Sequence, residues 1–240
     1  MSPGEEDRSL SPSYVGRTVR VFVSYAEADK ALAGKVKEGL EKYGLETFLA
    51  HEDINPAEEW QQVILDNLES TDVFIPLITA DFPRSKWTDQ ESGIALTHGK
   101  VIVPLSIDGN NPYGFVGRFQ GMKINSQLPV ECSEIVKAII RRRPQLEPQI
   151  LDSLIKSFAS SRSWTAAKER ANLLMEFEQM TVGQVDEIFK AATQNSEIQG
   201  SFGARDVLPK LFERHKDKVD SKIIEQLVKH KFISEDYLPF

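Results

Sequence analysis

Cysteine is almost missing from this chain, with Cys132 the only one in 240 residues. A single thiol excludes an intrachain disulfide framework and leaves too few thiolates for a cysteine-based zinc site. No apolar run approaches the roughly 18 residues that a membrane-crossing helix needs. Basic charge is also short. Lys and Arg number 29 against 36 Asp and Glu, a formal net charge of −7. Divided at residue 145, both parts remain net acidic. That removes the broad positive surface expected of a nucleic-acid binder. Histidine is scarce, and no His, Asp or Glu pair has metal-ligand spacing, so no metal is expected. The opening residues, MSPGEEDRSLSPSY, lack the charged-then-apolar layout of a secretory signal. A cytoplasmic location is the expectation. What is present is ordinary globular material, 40% hydrophobic and 27% charged, at a length that suits one or two domains.

Residues 1–16 are polar and read as a disordered leader. The pattern then changes. TVRVFVS, residues 18–24, is a β-branched strand signal. Leu32, Val36, Leu40 and Tyr43 follow on one helical stripe over residues 28–43, and Gly44 ends it where a positive φ is wanted. Further strands are expected at 45–50, 72–78, 101–105 and 122–125, with helices at 58–69, 86–99 and 133–143. A polar loop is expected at 51–58 and a Gly/Asn/Pro loop at 107–121. Pro76 and Pro104 sit inside two of the strand runs, where proline removes a ladder donor. Strands alternating with helices imply βαβ units and a doubly wound, flavodoxin-like parallel sheet spanning 17–143. From 144 to 240 the strand signals stop and a small all-α domain is expected. Its helices fall near 151–158, 164–177, 204–214 and 219–231, and one more starts at a Thr181–Gln184 capping box. RRRPQLEPQ, residues 141–149, reads as the linker, because two prolines interrupt a helix.

In an open parallel sheet, ligands bind at the carboxyl ends of the strands. Ser24 and Tyr25 follow the first strand, His51 to Asp53 the second, and Thr79 to Asp81 the third. In SKWTDQESGIALTHGK, Trp87, Glu91, Ile94, Ala95 and His98 fall on one helical stripe. A carboxylate on an apolar stripe is unusual, since buried glutamate is rare without a partner. Such a residue either faces a ligand cleft or is engaged by a backbone N–H or a lysine. Trp60 and Trp87, taken alone, suit the core as well as a site.

These residues resemble the TIR (Toll/interleukin-1 receptor-like) family, and of its members the bacterial and archaeal proteins. VFVSYAEAD, residues 21–29, resembles the family's first motif. AHEDINPAEEW, residues 50–60, resembles its loop between the second strand and second helix, with Ala57 where glycine is common. SKWTDQE, residues 85–91, is similar to the Trp-x-x-x-Glu segment of the NAD-cleaving members. The three motifs occur in family order over residues 18 to about 143. The resemblance implies that Glu91 is the catalytic glutamate and that Ser85 and Trp87 edge the cleft. It places Trp60 near the nicotinamide, and Ser24, Tyr25 and Asp53 in the NAD-binding loops. It implies an NAD glycohydrolase, with NAD as substrate rather than cofactor, giving nicotinamide and linear or cyclic ADP-ribose. It also implies self-association through TIR domains.

The alternatives are a non-catalytic TIR adaptor and a sensor that binds an NAD-derived nucleotide without turnover. A phosphoacceptor receiver domain shares the topology. It needs an acidic pair after the first strand and an Asp ending the third. Ser24-Tyr25 and Ile78-Thr79 stand there instead, which excludes it.

Overall fold

The computed structural model describes residues 17–50 and 60–238. The expected leader, the loop 51–58 and Asp53 lie outside them. Among the described residues six strands form one parallel sheet: β1 (Arg20–Ser24), β2 (Glu46–Leu49), β3 (Val73–Ile78), β4 (Val101–Ile102), β5 (Leu105–Ile107) and β6 (Met122–Ile124). The order is β2-β1-β3-β5-β6, with β4 also paired to β3. Strands buried on both faces must be apolar almost throughout. β3, VFIPLI, is buried at every position and occupies the centre. Phe22 of β1 stacks on Phe74 of β3 at 5.8 Å and tilts against Phe48 of β2 at 5.3 Å.

The chain runs from β1 to β2 in one direction and from β2 to β3 in the other. Right-handed crossovers therefore put the two connecting helices on opposite faces. α1 (Lys30–Glu41) packs on β2 and on α4 (Cys132–Arg142). α2 (Trp60–Ser70) and α3 (Thr88–Thr97) pack together, α2 on β1 and α3 on both β1 and β3. This is the doubly wound architecture expected. Gly44 ends the first helical segment with φ of 85°, the conformation that calls for glycine.

The two strand prolines have different outcomes. Pro76 stays within β3, in register with Ser24. Pro104 breaks the expected 101–105 strand into β4 and β5. The pairing of β3 passes from Val101–Ile102 to Leu105–Ser106, skipping the stretch that holds both prolines.

After α4 the chain is helical. A 3₁₀ turn at Pro144–Leu146 leads into α5 (Glu147–Ala159), with Pro148 in its first turn, where a missing N–H costs nothing. α6 (Trp164–Leu174), α7 (Val182–Gln194), α8 (Ser196–Gly200), α9 (Phe202–His215) and α10 (Ser221–Lys229) follow. The capping box holds: Thr181 Oγ1 accepts from the Gln184 N–H, and Gln184 Oε1 accepts from the Thr181 N–H. The hydrophobic core runs on without interruption from the sheet into these helices. At the seam, Ser157 Oγ and Arg170 Nε both donate to the Lys42 carbonyl at 2.7 Å. Gly44 lies so close to α5 that a Cβ there would meet the Ser153 carbonyl oxygen at 2.5 Å. Among the described residues no helix is long and apolar enough to cross a membrane.

Candidate active site

α3 opens after a 3₁₀ turn at Phe82–Arg84. Thr79, just past β3, builds that turn. Its hydroxyl accepts from the Asp81 and Phe82 N–H groups and donates to Asp29 Oδ2 at 2.6 Å. Burial pushes the Asp29 carboxyl above its ordinary range, and the Thr79 hydroxyl pulls against that shift. Ser85 is extended, and its Oγ accepts from the Trp87 N–H at 3.3 Å. Thr88 is buried and donates to the Phe82 carbonyl at 2.7 Å. These bonds fix where the helix begins and which face it turns to the sheet.

Each residue advances a helix by about 100°. Thr88, Glu91, Ser92 and Ala95 therefore share one face, and all four are buried. Glu91 is 1% exposed. Its Oε2 accepts a hydrogen bond from Ser24 Oγ at 2.5 Å, at the carboxyl end of β1. Its Oε1 has no hydrogen-bond partner among the described residues. Desolvation raises the carboxyl pKa to about 7, against the opposing pull of the Ser24 hydroxyl. Such a group is poised between its two forms at neutral pH, the condition favoured at catalytic positions.

The stripe expected for this helix is corrected at both ends. Trp87 is the N-cap and His98 the C-cap, so both stand at the ends of the helix and neither is buried with Glu91. His98 is exposed, and Ile94 sits at the helix flank. Both line a groove of about 1030 Å³ on the outward side of α3, together with Gln90, Thr97, Phe115 and Arg118. Glu91 does not line it. The groove wall is held by Tyr113, whose hydroxyl donates to Asp89 Oδ1 at 2.8 Å and whose ring meets Phe82 edge-on.

Of the residues singled out from sequence, the fold brings Ser24 and Glu91 into direct contact. Tyr25, next to Ser24, is fully buried. Ser85 and Trp87 are partly buried on the approach to α3. Trp60 opens α2. Asp53 lies outside the described residues. Asp29 and Ser92 were not singled out. Asp29 lies 50 residues from Thr79, a pairing that no local spacing signals. Ser92, whose buried hydroxyl has no hydrogen-bond partner among the described residues, had only its place beside Glu91 to mark it.

A doubly wound parallel sheet with a buried carboxylate at its carboxyl edge defines an open α/β domain, the class whose ligands bind at that edge. The family follows from comparison: residues 21–134 match the family model described as TIR domain, and this part of the chain is a TIR domain. Solved structures similar to the chain include the TIR domain of the Toll-related receptor TRR-2 from Hydra magnipapillata. It is 22% identical, with 54% of this chain and 96% of that one covered and a TM-score of 0.38. Another is the TIR domains of the activated Roq1 resistosome directly recognising the pathogen effector XopQ. They are 15% identical, with 66% and 99% covered and a TM-score of 0.35. No curated relative matches the chain.

Proposed function

We propose that this TIR domain is an NAD glycohydrolase with Glu91 as its catalytic carboxylate. The observation that carries this reading is a buried, proton-poised carboxyl group at the carboxyl end of β1, with one oxygen unpartnered among the described residues. Nicotinamide leaves NAD as a neutral base from a cationic ring, so little acid assistance is needed. The ribose left behind has oxocarbenium character, as in glycoside cleavage. One carboxylate in a water-poor setting can stabilise that charge strongly. Trp60, at the first position of α2, is the residue the family resemblance assigns to the nicotinamide ring. Water then completes hydrolysis to ADP-ribose, or an adenine nitrogen closes a cyclic product.

A second reading, a TIR adaptor that recruits other proteins, is favoured by a different observation. The large groove lies on the side of α3 away from Glu91, and Phe115 on its wall is 70% exposed. One experiment separates the two. Nicotinamide release from NAD is followed for wild type and Glu91→Ala over a range of protein concentrations. The enzyme reading expects release by wild type and a loss on the order of 10²–10³ or more in the variant. Specific activity is expected to rise with protein concentration if self-association completes the site. Absence of release at every concentration leaves the adaptor reading.

A further inference from the structure

Ser24 ends β1 with its side chain fully buried, in register with Pro76 of the central strand. Its hydroxyl makes the one hydrogen bond that the Glu91 carboxyl group has among the described residues. Several charged groups on the elements around α3 have other partners. Asp29 is held by Thr79, Asp81 by Arg84, Asp89 by Tyr113, Asp66 by Gln62 and Arg20 by Glu46. The two causes acting on Glu91 are burial and the Ser24 hydroxyl.

Resting on the NAD-cleaving reading, we propose that Ser24 is a positioning residue: by donating to Oε2 it fixes the Glu91 side chain and leaves Oε1 as the single oxygen that meets substrate. A glutamate has three side-chain torsions to settle. Its Cα is held by the α3 backbone, and the Ser24 bond holds the far end. That bond joins it to the end of a strand paired on both sides. The hydroxyl also favours the ionised form, because it donates to a carboxylate oxygen. Ser24 therefore acts through Glu91 and touches no substrate atom itself. This replaces the direct NAD contact expected for Ser24 from the family resemblance.

The test compares wild type, Ser24→Ala and Ser24→Thr by two readouts. The first is the pH dependence of NAD turnover. Removing the hydroxyl moves the carboxyl group further up, so the acid limb of the profile shifts to higher pH. The expected shift is about one to two pH units, the size of a hydrogen bond to a charged group. Ser24→Thr, which keeps a hydroxyl, restores the wild-type midpoint. The second readout is the titration of the Glu91 carboxyl carbon by NMR, with its signal assigned through its loss in Glu91→Gln. The same upward shift is expected there, with or without turnover. An Ser24→Ala protein that is less stable but titrates at the wild-type midpoint overturns the proposal. Absence of nicotinamide release by wild type overturns the NAD reading instead, and the carboxyl titration then decides the Ser24–Glu91 coupling by itself.

Discussion

Glu91 keeps a carboxyl group at 1% exposure with one hydroxyl bound to it among the described residues. Burial penalises the charged form, so the group titrates at about 7 in the fold against 4.5 for the free side chain. Between those values the folded state holds a proton that the unfolded chain has lost. Stability therefore falls as pH rises from 4.5 to about 7, and the full penalty is present above that range. Glu91→Gln is expected to be more stable than wild type at pH 8, by on the order of 3 kcal/mol. The gap should close below pH 4.5. Urea midpoints for both proteins across that range check it, and a gap independent of pH would show that the carboxyl is not perturbed. Turnover makes the opposite demand. The ionised form is the one that stabilises a cationic ribose, so the rate should fall as pH drops through about 7. One side chain thus sets stability and activity against each other, as functional sites often do.

At the scale of the element, α3 is aimed by its first turn. Thr88→Val keeps the shape of the side chain and deletes the bond to the Phe82 carbonyl. The expected cost is roughly 1 kcal/mol of stability, with turnover reduced as Glu91 loses its register. Chemical denaturation and nicotinamide release on the same sample check both, and a stability loss with full activity would show that the first turn does not aim Glu91. Elements with strong local signals were legible from sequence. The Val/Phe run of β1, the glycine after α1 and the Thr181–Gln184 box each follow from short-range chemistry. The direction of Glu91 was legible only in part: of its expected stripe Ala95 is buried beside it, while Ile94 and His98 line the outer groove. Signals that depend on distant partners were not legible. The helix expected at 86–99 is shorter, because extended Ser85 and the capping conformations of Trp87 and His98 trim it. Pro104 cuts its strand because the other proline faces the same gap in β3 pairing, which only the folded sheet reveals. Ser24 was singled out as an NAD contact. Its bond to Glu91 spans 67 residues and appears only once the sheet is assembled.

On the scale of the whole molecule, the sheet and the helices beyond residue 144 share one continuous core. At Gly44 their backbones lie close together. Gly44→Ala would add a Cβ at a φ of 85°, against the Ser153 carbonyl. The expected loss is about 1–3 kcal/mol. It should appear as one shifted transition whether unfolding is followed by tryptophan fluorescence or by helical circular dichroism, since Trp87 and Trp164 report from either side of the seam. An unshifted midpoint would mean that α5 withdraws from α1 at no cost. The same seam has a consequence for how the molecule responds to force. α1 is a rod about 18 Å long, at 1.5 Å for each of its 12 residues. Two donors from the helical bundle grip the chain at Lys42, just past its far end. At its near end Asp29 is tied to Thr79, on the rim where α3 and Glu91 are set. A tug on the bundle is thereby delivered, through α1 as a stiff strut, to the turn from which α3 starts.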